Sequence, residues 1–149
     1  MGMARIMPKA FLILLGALLM APPALAEIAR IKRSVGSTTV ERDGAKLTPS
    51  PGFLLQSGDT LVTGKNGQMS LTFVDDTRFS VGPNSRISVD KFDYNPRERT
   101  GEFVTKINRG SLAVVSGQIA RSKQDAMKVR TPTSLLGVRG TRFILEISQ

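Results

Sequence analysis

From about residue 27 onward, apolar and polar residues alternate with a period of two. Met69, Leu71 and Phe73 fall on one side of an extended chain, with Gln68, Ser70 and Thr72 on the other. Ile87 and Val89 alternate with Arg86, Ser88 and Asp90, and Met127 and Val129 with Lys128 and Arg130. Near the end, Phe143, Leu145 and Ile147 alternate with Arg142, Ile144 and Glu146. Successive side chains of a strand point to opposite faces, so the pattern predicts half-buried strands with the first-named sets turned inward.

Turn residues interrupt these runs at short intervals: Asp43-Gly44, Gly58-Asp59, Lys65-Asn66-Gly67, Asp75-Asp76, Gly82-Pro83-Asn84, Asn95-Pro96 and Arg109-Gly110. Glycine and asparagine tolerate positive φ, and proline presets φ while removing a donor. No sustained helical stripe lies between them; a short helical turn is expected near Gln118 to Ala126. Many short strands at this spacing suit a sandwich or barrel, or a short β-solenoid. No strict repeat is visible, which disfavours a regular solenoid. The polar segment Asp93 to Gly101 reads as an exposed loop between two halves.

The N-terminus has a different character. Arg5 and Lys9 precede an apolar run, Ala10 to Met20; Pro22-Pro23 follow, then Ala24-Leu25-Ala26 before Glu27. This is the pattern of a cleavable signal peptide, residues 1–26, with a mature start at Glu27. The run is shorter than the ~20 residues a stable bilayer span needs, so no membrane span is expected after cleavage. Residues 27–149 suffice for one domain with a real core. The chain is expected to be periplasmic or secreted, in a Gram-negative envelope.

Composition excludes several chemistries. The 149 residues contain no histidine and no cysteine. The usual zinc ligands and the usual neutral-pH general base are missing, and neither a Ser-His-Asp nor a Cys-His arrangement can be built. Serine–lysine catalysis would need a buried lysine beside a serine, and no spacing points to one. No enzyme activity, catalytic residue, metal or cofactor is expected. Without disulfides, stability must come from packing and backbone pairing.

Two motifs tempt a chemical reading. Asp75-Asp76 could hold a hard cation, but no spaced ligand loop surrounds it, and a hairpin turn with a side-chain acceptor is the simpler reading. Gly64-Lys65-Asn66-Gly67 lacks the spacing of a phosphate-binding loop and reads as a hairpin loop.

The ordered set Gly58-Asp59, Leu61 to Gly64, Asp75-Asp76-Thr77, Gly82 to Ser85, Gly110 to Gly117 and finally Thr131 to Phe143 resembles the FecR-type extracytoplasmic domain. The closing Arg139-Gly140-Thr141-Arg142-Phe143, after Val129-Arg130-Thr131-Pro132, is its most specific part. The resemblance covers roughly Ile31 to Ile147. It departs at Asp76, where the family commonly has glycine. It implies an all-β, compact, irregular β-helix-like or sandwich-like roll of many short strands. It also implies a binding and signalling module. The cytoplasmic segment and retained membrane helix of the sensor members are not seen, so anti-sigma activity is not carried over.

Pro132 removes a ladder donor and suits a strand end. Gly137 and Gly140 are expected to let the chain reverse before Phe143 re-enters the core. Arg139 can bond turn carbonyls or an acid such as Asp59, or present its fork to an anionic ligand. Asp59 itself reads as a turn acceptor. Arg139, Thr141, Asp59 and Arg130 are the candidate contacts for a partner or ligand.

The formal net charge is +9. Cations cluster at Arg30, Lys32 and Arg33, at Arg97 and Arg99, and along Arg121, Lys123, Lys128 and Arg130. Export and the scarcity of aromatic rings, with one tyrosine and no tryptophan, argue against nucleic acid. Two partner classes remain: an envelope protein, bound through an exposed strand edge, or an anionic glycan, lipopolysaccharide or lipid surface held by salt-sensitive attraction.

Overall fold

A computed structural model describes residues 2, 20, 21, 26–140 and 142–148. The expected leader lies almost wholly outside the described residues, as does Thr141. Among the described residues, no helix is long and apolar enough to cross a membrane.

The strands are β1 (Ala29–Val35), β2 (Thr38–Arg42), β3 (Ala45–Leu47), β4 (Leu54–Leu55), β5 (Thr60–Thr63), β6 (Gln68–Phe73), β7 (Arg78–Val81), β8 (Arg86–Asn95) and β9 (Thr100–Val115). A short helix, α1 (Gln118–Ser122), precedes β10 (Met127–Arg130), β11 (Leu135–Val138) and β12 (Arg142–Ile147). All strands join one curled sheet, a half-barrel that is antiparallel except where β10 runs parallel to β9. The all-β roll of short strands expected from sequence is present, as is the short helix.

Four long bent strands organise the sheet. β1 continues into β2, β5 into β6, and β7 into β8, while β9 bends within its own length. On one side of the bends β1, β6, β7 and the second half of β9 lie in register; on the other lie β2, β5, β8 and the first half of β9. The bends stack into a seam. Gly64 N–H donates to the Ser37 carbonyl at 2.9 Å, and Asn84 N–H to the Gly64 carbonyl at 3.0 Å. Thr63 Oγ1 donates to the Gly82 carbonyl at 2.6 Å and accepts Ser85 N–H at 2.9 Å. Ser111 N–H donates to Ser85 Oγ at 2.9 Å. Gly110 turns the corner in β9 with φ +89°; a Cβ there would meet Ser85 Oγ at 2.1 Å. Only glycine combines that backbone region with that closeness.

Two expectations are corrected here. Gly64 to Gly67 is not a hairpin loop: β5 and β6 pair with different neighbours, and the segment is a corner inside one bent strand. Asp93 to Gly101 is not a loop between halves. β8 runs to Asn95 and β9 starts at Thr100, so the turn is confined to residues 96–99. The charged residues there face solvent from a regular hairpin.

Inside the curl, Met69, Leu71, Phe73, Ile87, Val89, Met127 and Val129 are buried, as the alternation predicts. Phe143, Leu145 and Ile147 pack against the core but stay half-buried. Phe73 and Phe79 from one side of the seam meet Phe92 and Phe103 from the other. The Phe73–Phe103 centroids are 4.6 Å apart and those of Phe73–Phe92 5.3 Å. Offset and edge contacts of this kind add about 0.5–1.5 kcal/mol per pair beyond area burial. They fasten the two sides of the half-barrel.

Candidate interaction surface

The β10–β11 hairpin carries most of the motif singled out in the sequence. β10 hangs on β9 through Met127 to Arg130, opposite Phe103 to Lys106. Met127, Val129 and Val138 anchor it in the core. Thr131 closes the turn: its N–H donates to the Ser134 carbonyl at 2.9 Å, and its Oγ1 accepts Ser134 N–H at 2.9 Å. Pro132 sits in that turn, past the strand end, where a missing donor costs nothing. The reversal therefore lies at Pro132-Thr133, and the expectation for Gly137 is corrected: it lies within β11, opposite Lys128. A Cβ on Gly137 would meet the tip of the Asp125 side chain, Oδ1, at 2.2 Å, so that carboxylate lies across the glycine. Gly140, with φ +54°, does make the second bend.

β11 pairs only with β10 among the described residues, which leaves its outer edge open. Its side chains are unusually apolar for an edge: Leu135 is 57% exposed and Leu136 39%.

The candidate contacts are not gathered in one place. Arg130 and Arg139 are exposed at opposite ends of the hairpin, since Arg130 stands opposite Leu135 while Arg139 follows Val138, the partner of Met127. Thr141 is outside the described residues. Asp59 is 1% exposed and engaged by Arg42, not Arg139: Nε and Nη2 donate to its two oxygens at 2.8 and 2.7 Å. It also accepts Gln56 N–H at 2.9 Å, which makes it the turn acceptor expected from sequence. Hydrogen bonding to Asp59 raises the Arg42 pKa above its ordinary value, and the guanidinium lies over the Phe53 ring.

Asp75 is also a turn acceptor. It is fully buried and accepts Thr77 N–H at 3.1 Å, Thr77 Oγ1 at 2.8 Å and Ile119 N–H at 3.2 Å. Asp76 adopts φ +71°, so it supplies the left-handed residue that glycine would otherwise provide.

A feature not anticipated from sequence is a shallow trough on the outer face of the sheet. Cross-strand partners line it in two rows. Arg33, Ser70, Ser80, Ala113 and Ile144 form one, and Arg30, Thr72, Arg78, Val115 and Arg142 the other. Small side chains floor it and arginines rim it; its larger part encloses about 660 Å³. Its only local signal is the polar half of each alternating run, which carries no information on which runs become neighbours.

Bent strands hinged on a glycine seam, beside a basic trough, define an all-β half-barrel. The FecR protein family model matches residues 59–149, more than half of the chain, and the protein belongs to this family. The match begins at Asp59, later than the resemblance at Ile31 suggested; β1 to β4 nonetheless complete the same sheet. Membership makes this a signalling-related domain of an envelope-associated, non-enzymatic family. No curated protein and no solved structure matches the chain.

Proposed function

We propose that the protein is an exported, non-enzymatic binding module that acts by protein–protein interaction in envelope signalling or assembly, with β11 as its docking edge. The observation that carries this reading is the open edge of β11 with Leu135 and Leu136 exposed on it. An added strand obtains affinity from main-chain hydrogen bonds and specificity from alternate side chains. The leucines call for apolar residues at the centre of the partner strand. Arg130 and Arg139 at the two ends of the hairpin call for acidic residues at its flanks, with Thr141 as a further contact. Periplasmic or secreted location follows from the leader pattern of residues 1–26.

The test is a photo-crosslinking residue placed at Leu136 in the native envelope. A discrete protein adduct that survives moderate salt and is lost with Leu135→Asp supports the reading. The same group at Val74, which is 50% exposed elsewhere on the domain, should give no such adduct.

A second reading has its own support in the arginine-rimmed trough: an anionic envelope polymer, such as acidic polysaccharide or lipopolysaccharide, lying across Arg30, Arg33, Arg78 and Arg142. Such binding weakens as salt rises. Retention on polymer alone, lost at moderate salt and with Arg78→Glu, would favour it over the first.

A further inference from the structure

β12 is another open edge among the described residues, and its sequence is complementary to itself. It pairs only with the second half of β9 among the described residues, Arg142 opposite Val115 through Ile147 opposite Gly110. On the other side of β9, Gly82 N–H donates to the Ser111 carbonyl at 3.0 Å. Backbone groups along a strand point alternately to its two neighbours, so residues 111, 113 and 115 bond towards β7, and 112 and 114 towards β12. The partners of 112 and 114 are Leu145 and Phe143. By the same alternation, Arg142, Ile144 and Glu146 turn their N–H and C=O groups to the open edge.

We propose that two copies of this chain associate through β12, antiparallel about a two-fold axis at Ile144, so that their sheets join edge to edge. In this register Ile144 meets Ile144 of the second copy, and Arg142 meets Glu146 of the second copy on both sides of the axis. All of these residues have edge-facing backbone groups, so each pair exchanges both of its hydrogen bonds. Phe143 falls opposite Leu145 on the inner face, which extends the half-buried apolar layer. Ile144, 70% exposed in one copy, becomes a central contact.

Other self-pairings lose on charge or on the faces they bring together. Centring on Phe143 or Leu145 keeps the edge-facing groups paired but sets Arg142 or Glu146 opposite Ile144, so both opposite-charge pairs are lost. A shift that sets Ile144 against Leu145 would exchange inner and outer faces. Centring on Arg142 or Glu146 places like charges opposite each other, which is destabilising. Charges on an edge strand commonly prevent self-association; here they favour one register. The interface is isologous and consumes the edge, so it closes at a dimer and does not propagate into a fibre.

Sedimentation equilibrium on protein expressed from the full sequence tests this. The wild type is expected to be dimeric. Arg142→Glu and Glu146→Arg, each of which sets like charges across both flanks, should raise the dissociation constant roughly tenfold or more. Mixing the two variants restores opposite charges on both flanks, and the heterodimer should form. An independent readout uses the lack of native cysteine. Ile144→Cys should form an intermolecular disulfide on mild oxidation, because residues in a hydrogen-bonded antiparallel pair have Cα atoms about 5.5 Å apart. Val74→Cys should not. A wild type that stays monomeric up to roughly millimolar concentration overturns the proposal. So does a dimer that neither charge reversal weakens, or an Ile144→Cys chain that crosslinks no faster than Val74→Cys.

Discussion

The Asp75 carboxylate accepts a hydrogen bond from the backbone N–H of Ile119, 3.2 Å away and 44 residues on in the chain. Around this bond the β6–β7 turn is tied to the start of α1. Gln118 N–H donates to the Asp75 carbonyl at 2.8 Å, and Gly117 N–H to Thr77 Oγ1 at 3.1 Å. The turn is therefore one side of a buried polar junction through which the chain leaves β9 and enters the FecR-type hairpin. Asp75→Ala strands buried donors and should destabilise the fold by about 2–4 kcal/mol, at about 1–3 kcal/mol per unsatisfied group. Asp75→Asn keeps one acceptor oxygen and should cost less, about 1–2 kcal/mol. Urea titration measures both. A neutral Asp75→Ala would mean that the junction does not hold the fold.

Gly117 lies against that turn. A Cβ there would sit 2.2 Å from the Asp75 carbonyl oxygen and 2.4 Å from Thr77 N, both backbone atoms that cannot step aside. Gly117→Ala should cost at least about 2 kcal/mol, as overpacking against a rigid neighbour does. Gly44 separates this effect from φ strain. It has φ +79° with nothing within 4 Å, so Gly44→Ala should cost only about 1 kcal/mol. Thermal melts of the two variants should rank them in that order.

Arg42 covers the buried Asp59 while remaining 25% exposed itself. Arg42→Ala would leave a buried carboxylate without its cation. A fully buried broken pair costs about 3–5 kcal/mol, and exposure of the arginine reduces this to about 1–3 kcal/mol. Removing both groups in Arg42→Ala/Asp59→Ala should cost less than the sum of the single changes. Strict additivity in a double-mutant cycle would show that the two residues do not act together.

Acid should weaken the ion pairs in a defined direction. Hydrogen bonding to Arg86 lowers the Glu41 pKa below its ordinary 4.5, and hydrogen bonding to Lys91 does the same for Glu102. A carboxyl whose folded pKa is depressed stabilises the fold above its unfolded value and loses that contribution as pH falls through the folded one. Arg86→Gln should therefore be less stable than the wild type at neutral pH, and the gap should close as Glu41 protonates in acid. Carboxyl chemical shifts followed by NMR should show Glu41 titrating higher in Arg86→Gln. An unmoved Glu41 midpoint would sink the assignment of cause.

Much of this domain is legible along the chain. The buried sets Met69/Leu71/Phe73, Ile87/Val89 and Met127/Val129 follow from alternation alone, because burial on one face of a pleat imposes period two. The turn role of Asp75 and Asp59 also follows, since aspartate bonds nearby backbone donors. The errors share a cause. Gly64 to Gly67 and Gly137 look like turns because glycine is the common mark of a hairpin. Gly64 and Gly67 instead make room for Ser37, distant in sequence, at the seam, while Gly137 lies within a strand beneath the Asp125 carboxylate. Asp93 to Gly101 looks like a loop because both faces of that hairpin tip carry charge. The Arg42–Asp59 pair spans 17 residues, and no local pattern marks it.

Taken alone, the sequence determined which residues face inward, which catalytic and metal chemistries lack their residues, and the family. Those depend on side-chain identity and on the local geometry of an extended backbone. The tertiary structure alone decided which strands became neighbours, where the four long strands bend, and that β11 and β12 are open edges among the described residues. Strand pairing is made by backbone groups that every residue carries, so its partners are chosen by packing between segments distant in the chain. The surface proposed for binding consists of such choices, the open edges and the rows of side chains they align.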